Sequence, residues 1–360
     1  KNNLMKTIII LDKQNNLEQI IKNIDKFKNK KIITVDHISH KTLKKNKINH
    51  IIGDSLLNQE DRLKIYDKSI SYLNWYENIS NEKFMINGYN LLEIIDSNEL
   101  QMLLSEKLTK LFCIKNILDL EQPEKIITTS SNLKIINCLN DKITIELISE
   151  EQIENELFFD IIEINFDKKI FPKKIKLLKK KYQLIKNNIE NLICKIYGLS
   201  YKENKRKSVL FVEFNPESYE ELFNEINKCG KQSVLLNSRR SALWSKNSIQ
   251  ILKKTNSKII RYNQFLTKEN KKRILKNVIK FKKEFLNEIE NESKMEKIFS
   301  INNISFWNLI KKQILDMYMT RIKERLTYIL ISEKLSNNKD FECVVSLNLS
   351  GETERIFSNN

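Results

Sequence analysis

Residues 208–238, SVLFVEFNPESYEELFNEINKCGKQSVLLNS, read as a complete strand, helix, strand unit with each boundary marked. Residues 208–214 form a short apolar, β-rich run suited to a buried parallel strand, and Asn215-Pro216 supplies an N-cap followed by proline at the first helical position. Tyr219, Leu222, Phe223, Ile226 and Cys229 recur at helical spacing on one face, and Gly230 stands where a left-handed C-cap is wanted. Extended character resumes at 233–236. The unit is half of a βαβ turn. Ligands of such sheets bind outside the carboxyl ends of the strands, which puts Glu213, Asn215, Asn237, Ser238, Arg239 and Arg240 on the binding side.

Alternation of the same kind extends to both sides. A chain of 360 residues exceeds the usual size of one core, so about two domains are expected. Residues 1–150 read as a first Rossmann-like α/β domain, with strands at 7–11, 31–35, 49–52, 125–128 and 143–148. Helices are expected at 17–27, 62–76 and within 91–120. Residues 151–207 read as a basic helical connector, opened by Glu150, Glu151, Glu154 and Glu156. A second Rossmann-like domain, 208–360, adds strands at 258–261 and 341–347, with long helices at 267–298 and 305–335 inserted between them. The fold class is therefore α/β, two parallel-sheet units joined by a helical connector. The chain opens on Lys1 and stops at Asn360 just after a new helix start, so it is expected to be cut at its C-terminal end.

Composition narrows the function classes. Only five glycines and three prolines argue against a loop-rich all-β fold, and no G-x-G-x-x-G is present, so no dinucleotide cofactor is expected; a P-loop is also absent. The five cysteines are dispersed and sit in apolar runs, as reduced core thiols do, and no C-x-x-C pair exists to chelate a metal. The formal charge of +17 raises nucleic acid or an anionic membrane as a partner. Lysine is abundant throughout, however, and aromatics do not interleave with a compact basic face, so the sequence does not favour nucleic acid. One segment is denser: 168–186 reads as a basic amphipathic helix, either a solvated face or a contact with the inner membrane leaflet or an acidic partner. No apolar run approaches the ~18 residues that cross a bilayer, so the protein is expected to be soluble or peripheral, and the reduced thiols point to the cytoplasm.

Several residue sets could carry chemistry. His37 and His40 beside Asp36 suggest a metal or acid/base pair, against the plainer reading of a polar loop. Arg239-Arg240 directly after a strand suits phosphate or carboxylate, or else surface salt bridges. Glu213 at a strand end is a candidate general base, or satisfies those arginines. Ser350-Gly351-Glu352-Thr353 places backbone donors at a helix start, for an anion or a sugar hydroxyl, or simply as a cap. Trp244 is either a packing anchor or a stacking wall for a sugar.

With those residues in view, VLFVEFNPESYEELFNEINKCGKQSVLLNS resembles the opening of the acceptor-side domain in GT-B glycosyltransferases of surface and capsular polysaccharide assembly. CVVSLNLSGETERIF is similar to the strand and polar loop near the end of that domain. NWYENISNEKFMINGYNLLEII with EKIITTSS resembles the extra N-terminal region of some of these enzymes. The resemblance implies metal-independent transfer of a sugar from a nucleotide donor to a polysaccharide or lipid-linked acceptor, in a cleft between two α/β domains. Glu213 or Glu352 would be the base. Asn215, Ser238, Arg239, Arg240, Trp244, Ser350, Gly351 and Thr353 would form the acceptor wall. The donor half would lie after Asn360, so this chain alone would be inactive. The rival expectation is a noncatalytic binding or regulatory module for an anionic partner such as nucleic acid.

Overall fold

A computed structural model describes residues 6–12, 17–22, 30–79, 81–140, 142–148, 157, 160–165, 174–203, 206–261, 264–337 and 340–358. Ile24 and Phe27 of the expected first helix lie outside the described residues, as do Glu150, Glu151, Glu154, Glu156, Lys168, Lys169 and Lys173. The protein is α/β with two parallel sheets. Contacts divide it into two units that are not contiguous in sequence: Lys1–Ile79, Leu100–Asn155 and Ile289–Leu315 form one, and Ser80–Glu99, Glu156–Glu288 and Asp316–Asn360 the other.

In the first unit the strands lie in the order Ile51–Ile52, Lys31–Thr34, Thr7–Leu11, Lys125–Thr128, Thr144–Leu147, every pair parallel. The chain starts in the middle, steps outward, then crosses to the other side of Thr7–Leu11. Ile9, Leu11, Ile32 and Ile127 pack with Leu17, Ile20 and Leu43 from the helices. A second apolar centre gathers Trp75, Phe299, Phe306 and Trp307; Phe299 stacks on Trp307 with ring centres 5.2 Å apart. It is seated on the hairpin Ser300–Ile301 and Ile304–Ser305, whose two-residue turn, Asn302-Asn303, has positive φ at both positions. Asparagine tolerates that conformation, and the turn's twist matches that of the strands.

The second unit repeats the pattern with the order Lys258–Ile259, Gln232–Leu236, Ser208–Val212, Phe341–Ser346, again all parallel. Ser208–Val212 and Gln232–Leu236 are buried at every position, as central strands covered on both faces must be. Phe211 meets Phe214 and Phe223 edge-on, and Leu235, Leu243, Leu252 and Cys194 complete the core.

Two local expectations change. The strand ends at Val212, and the following helix is Glu220–Lys228, starting after Pro216 by a full turn. Asn215 accepts from the Glu217 amide at 3.1 Å, so it closes a side-chain turn ahead of the helix. The connector is not wholly helical: Ile161–Asn165 and Lys174–Leu178 pair antiparallel before the helix Lys179–Tyr197 begins. Lys174, Ile175, Lys176 and Leu177 alternate between exposed and half-buried, which is a strand period. Gly230, at φ +74, takes the left-handed conformation its place after a helix demands.

Candidate functional site at the carboxyl rim of the second sheet

Glu213 follows the central strand with φ +61, a conformation a non-glycine residue holds only where surrounding bonds fix it. They do so here. Its amide donates to Leu236 O at 3.0 Å, and its carboxylate accepts from the loop after the neighbouring strand: the Ser238 amide at 2.5 Å, the Ser238 hydroxyl, and the Arg239 amide at 3.1 Å, all on Oε1. Among the described residues, Oε2 accepts only from the Arg239 amide, at 3.2 Å. Burial pushes the Glu213 carboxyl above its ordinary value, against the pull of the Ser238 donors and the Lys186 ammonium.

Ser238 carries the contact onward. Its hydroxyl lies 2.7 Å from that of Thr353, at the start of the helix Glu352–Ser358 that follows the edge strand Phe341–Ser346. Glu213, Ser238 and Thr353 thus join the loops of three parallel strands at one rim. From below, Lys186 donates to the carbonyls of Asn237 at 2.5 Å and Ser238 at 3.0 Å, and Gln183 donates to Ser238 O at 2.7 Å. Lys186 is buried beside Glu190, whose carboxyl burial also pushes up.

Arg239 leans over the same rim. Its guanidinium donates to Glu354 Oε1 at 2.5 Å and lies 3.8 Å from Asp96 Oδ2. Gly351 makes room for it, because a Cβ at 351 would overlap that guanidinium. Burial pushes the Asp96 carboxyl up. Ser350 is tied down separately: its hydroxyl accepts from Asn98 at 2.9 Å and its carbonyl from the Ser97 amide at 3.0 Å.

Glu352 turns elsewhere. It accepts from Arg325 Nη2 at 2.8 Å and lies 3.7 Å from Arg321 Nη1. Burial opposes its charge, but Arg325, Arg321 and Lys179 outweigh burial and hold the carboxyl at about 2. It is a fixed anion, with no tendency to take a proton near neutrality. Arg321 also pairs with Glu99 and, at 3.0 Å, with Asp160, while the Arg325 guanidinium sits 5.0 Å above the Tyr318 ring.

The rim therefore gathers Glu213, Ser238, Arg239, Gly351 and Thr353, with Ser350 beside them. Asn215, Arg240 and Trp244 are exposed. Arg240 makes no polar contact with another described residue, and the Trp244 ring centre is 6.1 Å from that of Tyr182. Sequence reasoning passed over Arg321, Arg325, Asp96 and Glu354. No local signal marked Arg321 and Arg325, because Lys323 and Glu324 stand between them and give the stretch the look of a solvated helix face.

A smaller cluster marks the first sheet. Asp12, just past the central strand, accepts from Thr129 Oγ1 at 3.2 Å and from the Ser131 hydroxyl, with Lys110 Nζ 3.5 Å away. Asp12, Lys110 and Thr129 are buried. The histidines do not form the polar loop expected. Asp36 caps a helix, His37–Lys45, by accepting from the amides of Ile38 and Ser39, and His40 Nδ1 lies 2.9 Å from His50 Nε2. Among the described residues, no group of three His, Cys, Asp or Glu is placed to hold a metal ion, and no helix is long and apolar enough to cross a membrane. No family model, curated protein or solved structure matches this chain.

Proposed function

We propose that the chain is part of a glycosyltransferase with two Rossmann-like units, and that the rim of the second unit handles the acceptor. One observation carries this reading: three parallel strands end in loops that bring Glu213, Ser238 and Thr353 into one hydrogen-bonded chain at the reversal of strand order. In this reading a sugar is transferred from a nucleotide donor, bound mainly outside this rim, to a polysaccharide or lipid-linked acceptor, and the nucleotide leaves with the donor's phosphate. Glu213 is the base. Burial raises its carboxyl above the ordinary value, and Oε2 keeps capacity for an acceptor proton. Arg240 holds the acceptor's anionic group, Trp244 stacks on a sugar, and Arg239, fixed by Glu354, lines the wall. Glu352, the other candidate base, acts instead as a counter-ion to the buried arginines. No metal or cofactor enters the scheme, and the protein works in the cytoplasm, at the membrane face.

Calorimetric titration of the chain with a short-chain prenyl phosphate and with nucleotide sugars tests it. Binding of the prenyl phosphate that Arg240→Ala weakens about tenfold, the size of one lost charge-assisted contact, is the expected result. Binding to neither ligand class, or binding indifferent to Arg240→Ala, rejects the reading.

A second reading, a noncatalytic module for an anionic partner such as nucleic acid, has one observation in its favour. The rim carboxylates are already engaged, whereas Arg240 is open. Binding to random oligonucleotides with a steep salt dependence would favour it, and a slope near zero would remove it.

A further inference from the structure

The helix Lys179–Tyr197 is built inside out. Its buried face carries Tyr182, Lys186, Glu190 and Cys194, successive at four-residue spacing, of which two are charged. Lys186 is held there because its ammonium caps the carbonyls of Asn237 and Ser238. The adjoining face shows water a row of aliphatic side chains at helical spacing: Ile185 is 45% exposed, Leu192 59% and Ile196 64%, with Ile189 half-buried between them, and Leu184, further round the helix, is 67% exposed. Next to the row come Lys181 and Lys195, and Lys180 stands further round the exposed surface, all three exposed with no ion pair to any described residue. The helix has a single acid, Glu190, and that is on the buried face. The exposed surface is thus aliphatic and purely cationic.

We propose that this face lies on an anionic phospholipid surface, with Ile185, Leu192 and Ile196 at the acyl boundary and Lys180, Lys181 and Lys195 against headgroup phosphates. Charge decides the occupant. A protein groove for an aliphatic stripe needs no uniform positive flank, whereas an anionic bilayer offers both apolar depth and negative charge to one helix lying in its plane. The contact differs from one made by the lysines of 168–186 alone, since Lys186 is buried and the aliphatic row supplies the insertion. It does not depend on the sugar-transfer reading, which concerns the other side of this helix.

Flotation of the full chain with vesicles of phosphatidylcholine, with and without about a third phosphatidylglycerol, tests the proposal, a fraction at which several lysines gain measurably from the surface. The wild type floats with the anionic vesicles only. Ile185→Ser, Leu192→Ser and Ile196→Ser combined weaken that binding about tenfold or more, and Lys180→Gln, Lys181→Gln and Lys195→Gln combined do the same. All six positions are exposed, so the circular dichroism of both variants matches the wild type. Failure of the wild type to float, or flotation unchanged by the aliphatic variant, overturns the proposal. So does a wild-type dimer in sedimentation that the aliphatic variant dissolves, because the occupant would then be a second copy of the chain.

Discussion

Glu213 and Glu352 belong to one unit, end adjacent strand crossings and are both enclosed, yet their carboxyls move in opposite directions. Glu213 faces neutral donors, two amides and a hydroxyl, with one ammonium at a distance. Its desolvation is only partly offset and its proton is held more tightly. Glu352 faces two guanidinium groups, and their charge overwhelms the same desolvation. Enclosure alone therefore does not decide protonation; the formal charge of the neighbours does. The contrast separates a carboxyl whose proton is held more tightly than usual from one that stays an anion and can only hold other groups in place.

The sharpest way to break the contrast is to remove the guanidinium. Arg325→Met leaves Glu352 enclosed with a weaker partner, and urea denaturation should record a loss of about 3–5 kcal/mol. The same pair predicts acid behaviour. A carboxyl depressed on folding contributes stability that is complete above its ordinary value of 4.5 and is lost as pH falls toward about 2, so wild-type stability should drop across that window. In Arg325→Met the drop should shrink; an unchanged acid limb would disprove the pairing. Gly351→Ala is next in size. Its methyl would displace the Arg239 guanidinium, and thermal melts should show a loss of about 1–3 kcal/mol.

Glu213→Gln should cost less, about 1 kcal/mol, because hydrogen-bonding capacity is partly kept. A carboxyl raised on folding penalises the folded state as pH climbs from 4.5 through its folded value, so the deficit of the variant relative to wild type should narrow as pH rises. A widening gap would mean that Glu213 is held as a firm anion, like Glu352. Arg240→Ala should shift stability by less than about 0.5 kcal/mol, as befits an exposed side chain without partners, leaving its effect on ligand binding free to be read.

The parts of this arrangement legible in sequence are those set by short-range rules. The apolar runs at 208–212, 232–236 and 7–11 could only be sheltered strands, and strand ends in a parallel sheet locate Glu213, Ser238 and Arg239 without coordinates. Long-range charge pairing was not legible. Nothing near Glu352 in sequence announces Arg321 and Arg325, about a turn apart on a helix that also passes Glu99 and Asp160. Lys186 misleads for the same reason, since a lysine among lysines looks solvated until its carbonyl partners are known. One local signal was simply overlooked: Asn87-Gly88 within MINGYN, with positive φ at both residues, turns the hairpin Met85–Ile86 and Tyr89–Asn90.

The interleaved path of the chain also limits how the gene can be cut. A clone ending at residue 155 would encode most of the first unit but omit Ile289–Leu315, stripping Trp75 of Phe299 and with it the Phe306 and Trp307 rings that Phe299 joins. Halving this polypeptide by its linear order would leave each piece without segments that its own unit is built from.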